Sequence, residues 1–125
     1  RYTTSSLIYQ GANIENLNDR YSFIDYVIDF EYKKLLIKEP DLVIFLTMPF
    51  EKAKELRNNR RQNDGISNDI HESNLSFMKK VYDNSLLVAK RLNFEVVECT
   101  NNNEIRTIDD IHNEVYNKCT KVLKK

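Results

Sequence analysis

The sequence predicts an α/β fold in which helices cover a parallel sheet, with this chain mostly helical and carrying two short strands. Three observations predict it: the apolar run DLVIFLTM at 41–48, a second short run FEVVEC at 94–99, and helical periodicity before, between and after them. A run without polar alternation is expected to be a strand buried on both faces of a parallel sheet, and both faces then need helices. The order helix, strand, helix, loop, helix, strand, helix is that of half a doubly wound domain. Two strands cannot make such a sheet alone, so further strands are expected upstream of Arg1.

Each element follows from local pattern. A helix is expected from about Asn16 to Lys38, with Phe23, Ile24, Val27, Ile28, Phe30, Leu35 and Leu36 at three- and four-residue spacings. Its apolar surface is wider than one stripe, which predicts packing on two sides. Pro40 is expected to stop it. After the first strand, Pro49 sits where a helix can begin without losing a hydrogen bond, and PFEKAKELRNNRR continues with Phe50, Ala53 and Leu56 on one side. QNDGISND concentrates turn-forming residues and reads as an exposed loop. A second long helix is expected from about Ile70 to Leu92, with Leu75, Met78, Val81, Tyr82, Leu86 and Ala89 inward. Asn101 to Asn103 reads as a turn, and Thr107 as the cap of a last helix whose Ile108, Ile111, Val115, Cys119 and Val122 face the core.

Composition narrows the function classes. The chain has 125 residues, room for one domain, and its 19 basic and 19 acidic side chains cancel. No overall field recruits nucleic acid or an anionic membrane, and the apolar runs are too short to span a bilayer, so a soluble, cytoplasmic protein is expected. Cys99 and Cys119 are too far apart for a Cys-x-x-Cys element, and two small hydrophobes in a reducing compartment are expected. His71 and His112 lack ligand-spaced partners, so no metal site is expected. The two glycines, Gly11 and Gly65, belong to neither a phosphate-cradling loop nor a dinucleotide fingerprint.

Chemistry is concentrated in two places. The opening RYTTSSLIYQG puts hydroxyl residues Thr4 and Ser5 ahead of Leu7 and Ile8, as a helix N-cap would be written. Such a tip carries partial positive charge, and an arginine there adds a fork suited to phosphate. Pattern alone is also met by an ordinary capped helix with a surface arginine. The second place is the cluster Arg57, Arg60 and Arg61, which could supply charge around a moving phosphoryl group. Cations near a helix C-terminus are favourable in any case. In DIHE, Asp69 and Glu72 also fit a capping box.

RYTTSSLIYQG resembles the Asp-Arg-Tyr/His motif of thymidylate kinases, in which a Ser-Ser-x-x-Tyr-Gln-Gly helix start follows. PDLVIFLTMPFEKAKELRNNR is similar to the family's Pro-Asp-Leu strand, turn and helix leading into a basic lid. The likeness covers nearly the whole chain and corresponds to the C-terminal part of the family's single domain, with the lid at about 57–72. It implies a three-layer nucleoside monophosphate kinase fold of the P-loop class, entered one residue after the motif's aspartate.

The implied activity is transfer of the ATP γ-phosphoryl group to dTMP, giving dTDP, with Mg2+ bridging the ATP phosphates and the protein acting as a homodimer. Arg1 is then the grip on the acceptor phosphate, Ser6 and Gln10 contacts to the thymine, and Tyr9 the ring against the deoxyribose that leaves little space for a ribose hydroxyl. Arg57, Arg60 and Arg61 become lid residues toward ATP, with Arg1, Arg57 and Arg61 catalytic. Asp69, His71 and Glu72 resemble an element closing over the acceptor, although His71 stands where those members carry tyrosine. The chain alone, without the phosphate loop, is expected to be inactive. Alternatives are another kinase of the superfamily, a nucleic-acid-binding module using RNNRR, and a family fold that has lost catalysis.

Overall fold

The computed structural model describes residues 3–64 and 74–124, with side chains throughout those ranges except at 61–64. The chain is mostly helical, with one short parallel pair of strands and one small antiparallel pair. The described residues fall into two compact units, one made of 3–40 and 75–92, the other of 41–64, 74 and 93–124.

The first unit opens with one α-helical turn, α1 (Thr3–Ser5), which widens into a π-helical turn at Ser6–Gln10 and tightens into a 3-10 turn at Gly11–Asn13. Thr4 and Ser5 are therefore not an N-cap. Both lie inside the helix, Ser5 has helical angles (φ −64°, ψ −44°) and makes no side-chain capping bond, whereas a cap needs non-helical backbone. Buried Thr3 instead turns its hydroxyl to donate to the Glu31 carboxylate.

Helix α2 (Leu17–Ile28) is capped by Asn16, whose Oδ1 accepts from the Asp19 amide at 3.1 Å. The expected helix to Lys38 changes character before that point. Beyond Ile28 it continues as a π-helical segment, Asp29–Lys34, and Leu36 adopts φ 56°. The Leu35 amide donates to Phe30 and the Ile37 amide to Glu31, both at 2.9 Å. A left-handed residue rather than Pro40 thus ends the helix. Ile24 and Val27 are buried, while Leu17, Tyr26, Phe30, Leu35, Leu36 and Ile37 stay exposed, so the second apolar side expected of this helix is uncovered here.

Helix α4 (Leu75–Arg91) buries Asn84, Ser85, Val88 and Ala89. Of the expected inward residues only Ala89 is fully buried, and Leu86 is exposed. The buried stripe is rotated because two of its members are polar and an apolar-spacing criterion discards them. Asn84 Nδ2 donates to the carbonyls of Leu7 at 3.0 Å and Ile8 at 2.8 Å, and Ser85 Oγ returns to the Tyr82 carbonyl at 2.6 Å. Arg91 fixes the far end of α4 to α2, donating to Asp25 at 2.8 and 3.3 Å with its guanidinium 4.5 Å from the Tyr21 ring centroid. Full burial of Leu7, Ile24 and Val88 contributes on the order of 1.5–3 kcal/mol each.

In the second unit β1 (Ile44–Thr47) pairs in parallel with β2 (Glu95–Glu98), Ile44 opposite Glu95 and Thr47 opposite Glu98. The two apolar runs do pair as a parallel sheet. Burial on both faces does not follow: Leu46 is 55% exposed and Val96 is exposed, because a sheet of two strands has no interior strand. Helix α3 (Phe50–Asp64) starts after Pro49, whose carbonyl accepts from Ala53 at 3.0 Å. It runs through Gln62, Asn63 and Asp64, so the first residues expected to be loop are helical; the rest of that stretch lies outside the described residues.

Strands β3 (Thr100–Asn101) and β4 (Glu104–Ile105) form a hairpin across Asn102 and Asn103, at φ 51° and 66°. Two successive left-handed residues are what a two-residue primed turn requires, and asparagine tolerates them. Helix α5 (Ile108–Leu123) is capped as expected by Thr107, whose Oγ1 accepts from the Asp110 amide at 3.1 Å. It packs on β2, and Lys118 reaches Glu95 at 2.9 Å. Ile111, Val115, Cys119 and Val122 are half-buried, whereas Ile108, expected inward, is 87% exposed. The hairpin brings the chain to Thr107 with Ile108 in the first turn, ahead of the part of the helix that meets the sheet.

Two stability outcomes are expected. A Cβ built on Gly11 would lie 3.0 Å from Asn84 Nδ2, an amide held by two bonds and unable to retreat without loosening one. Gly11→Ala should therefore lower stability in the wild-type background and be neutral or stabilising in Asn84→Ala. Denaturant unfolding of the four-member cycle should give a coupling of about 1 kcal/mol. Leu36 is 79% exposed and left-handed, so Leu36→Gly relieves backbone strain at little packing cost and should raise stability by roughly 0.5–1 kcal/mol, read as a higher denaturation midpoint.

Candidate functional site

The π-helical turn Ser6–Gln10 carries three of the sequence-predicted site residues on five consecutive positions. Closing a turn from residue i to i+5 widens it and shifts every later side chain around the axis, a geometry concentrated at functional positions. Leu7 points into the core and is fully buried, so the turn is anchored from within. Ser6 is half-buried, Tyr9 is 51% exposed and Gln10 is exposed. Tyr9 is therefore not a core residue. Ser6 lies within the helical run rather than at its start. The turn offers one hydroxyl, one phenol ring and one carboxamide, groups able to hydrogen-bond and stack.

Arg57 and Arg60 lie on α3 three residues apart, on neighbouring positions of one helix face. Arg57 is half-buried and Arg60 exposed. Arg61 follows in the same helix, with its side chain outside the described residues. Arg1, Asp69, His71 and Glu72 also lie outside the described residues. Ser6, Tyr9 and Gln10 thus share a turn in the first unit, and Arg57 and Arg60 share a helix in the second.

Spacing-based reading passed over two polar centres. The first is Asn84, whose Nδ2 serves two consecutive carbonyls of the candidate turn while its Oδ1 is buried without a partner. Leaving such an acceptor unpaired costs on the order of 1–3 kcal/mol, so the two donated bonds have to offset it. The available signal was a polar residue at the spacing of Val81, Ser85 and Val88, one helical face.

The second is Arg106, in an open groove of about 390 Å3 lined by Glu98, Thr100, Asn101, Arg106, Asp110 and Glu114. Its guanidinium donates to Asp110 Oδ2 at 2.8 Å, Glu114 Oε1 at 3.0 Å and the Glu98 carbonyl at 2.6 Å. The hydrogen bond to Asp110, then that to Glu114, raises the guanidinium's pKa further above its ordinary value, and Arg106 in turn holds the Asp110 carboxyl below its own. The four-residue steps from Arg106 to Asp110 to Glu114 were visible in the sequence. Beside it Cys99 is buried, and desolvation pushes its thiol up, away from the reactive thiolate.

Among the described residues no group of three or more His, Cys, Asp or Glu side chains is placed to hold a metal ion, and no helix is long and apolar enough to cross a membrane. Comparison with protein-family models, with curated proteins and with solved structures gives no match for this chain.

The ion pairs of Arg106 and Lys118 are expected to weaken in acid. The Asp110 carboxyl titrates below its ordinary 3.8, so its stabilising effect is present above that value and is lost as pH falls through the depressed folded value. Glu95 behaves alike below 4.5, held down by its hydrogen bond to Lys118. Amide protection in β2 and the first turns of α5 should decline from about pH 4 downward. Arg106→Ala should flatten that decline, measured by hydrogen exchange across the acid range.

Proposed function

We propose that this chain is the acceptor-binding and lid portion of a thymidylate kinase, a cytoplasmic enzyme that phosphorylates dTMP to dTDP with ATP. The observation that carries the proposal is the turn Ser6–Gln10: Leu7 is locked in the core while Ser6, Tyr9 and Gln10 remain open to a ligand. Those are the positions at which the resemblance of RYTTSSLIYQG puts the contacts to base and sugar. Arg1, two residues ahead of buried Thr3, meets the acceptor phosphate with a planar fork suited to it. Tyr9 stands where a ribose hydroxyl would be crowded.

Arg57, Arg60 and Arg61 take the role of lid cations, stabilising charge on the transferred phosphoryl group. Asp69, His71 and Glu72 take the acceptor-contact role that the resemblance implies for them. ATP supplies the transferred phosphoryl group, with Mg2+ bridging its phosphates. The enzyme acts as a homodimer through the exposed apolar residues of α2 and the π-helical segment after it, where Tyr26 and Phe30 stack with ring centroids 6.0 Å apart and Leu35, Leu36 and Ile37 are exposed.

An acceptor competition with the complete protein tests the assignment. dTMP should be phosphorylated far better than dUMP, dCMP or the ribose counterpart of dTMP, and preference for any other acceptor would sink it. Arg1→Ala should lower kcat/KM for dTMP by about 100-fold or more, the scale of losing one charge-stabilising donor. Salt-sensitive oligonucleotide binding without kinase activity would instead favour a nucleic-acid module using RNNRR.

A further inference from the structure

We infer that Asn84 is a positioning residue for the acceptor: its carboxamide sets the wide turn that presents Ser6, Tyr9 and Gln10, although it touches no ligand itself. The inference rests on the function proposed above and deepens it. Asn84 is fully buried on α4, and its one nitrogen donates to two consecutive carbonyls, Leu7 and Ile8, in the middle of the π-helical turn. At Gly11 that turn hands over to a 3-10 turn. Two hydrogen-bonding registers meet there, and a side-chain donor at the carbonyls just before the junction favours the wide winding over an ordinary α-turn.

Three further observations point the same way. The Asn84 Oδ1 is left without a partner inside the core, a cost that an apolar side chain would avoid on a helix face that also buries Val88 and Ala89. The residue at the junction is Gly11, where any Cβ would come within 3.0 Å of the Asn84 nitrogen. The same added Cβ would meet the ring of Phe23 of α2 at 3.6 Å, so position 11 is packed on two sides. Side-chain bulk has been kept out where the amide must reach the backbone. An α-helical winding of the same residues would rotate Tyr9 and Gln10 relative to Ser6, separating groups that have to meet one nucleotide.

Asn84→Leu keeps the approximate volume of the side chain and removes both donors. Gly11→Ala presses on the amide from the other side and serves as the milder variant if Asn84→Leu folds poorly. In the complete protein, amides of residues 6–13 should lose hydrogen-exchange protection in both variants. The KM for dTMP should rise about tenfold or more, as a displaced binding group dictates, with the KM for ATP unchanged. Unaltered exchange and dTMP KM would overturn the inference, and so would equal rises in both KM values, the mark of general destabilisation. Loss of exchange protection with an unchanged dTMP KM would overturn it as well. If the wild-type protein does not use dTMP, the proposed function fails and the inference with it. If the wild type uses dTMP and the variants match it, only the inference fails.

Discussion

The hydrogen bonds from the Asn84 carboxamide to the carbonyls of Leu7 and Ile8 join residues 76 and 77 positions apart, and the first unit is organised around them. They orient α4, whose remaining buried residues then meet the core with Ser85, Val88 and Ala89. They also bring the junction at Gly11 against Asn84 and Phe23. Two further links complete the frame: Arg91 to Asp25 at the other end of α4, and Thr3 to Glu31 between the chain's opening turn and the π-helical end of α2. A helical unit of this size is thus located by side-chain donors at its corners as well as by apolar burial between them.

The second unit relies on a different device. Its described apolar core is slight, with Val97 and Cys99 buried and the α5 residues only half-covered. Direction is set instead by polar links along β2 and α5: Lys118 to Glu95 at one end and Arg106 to Asp110, Glu114 and the Glu98 carbonyl at the other. Because Arg106 bonds a strand carbonyl and two helix carboxylates at once, the hairpin between β2 and α5 is held at both of its ends.

Most of this architecture was legible from spacing and caps. The helices, the parallel pairing of the two apolar runs, the Asn102–Asn103 turn and the Thr107 cap each leave a local signature. Where the structure differs, the reasons are physical. Apolar periodicity selects only apolar residues for the inward face, so it passes over Asn84 and Ser85, whose hydrogen bonds are made inside. It also assumes uniform α-helical winding, so the π-helical stretches at Ser6–Gln10 and Asp29–Lys34 left no trace in it. Hydroxyls at Thr4 and Ser5 resemble a cap in one dimension, yet the helix is already under way at Thr3. Within the candidate site, exposure of Tyr9 and Gln10 followed from the structure and not from their residue types.

The nearness of the Asn84 nitrogen to where a Cβ at position 11 would stand has a consequence for descent. Either change made alone is costly: loss of the amide removes two hydrogen bonds to the turn, and a Cβ at position 11 presses on that amide. The two positions are therefore expected to change together rather than one at a time. Two sites far apart along the gene are in that sense inherited as one character.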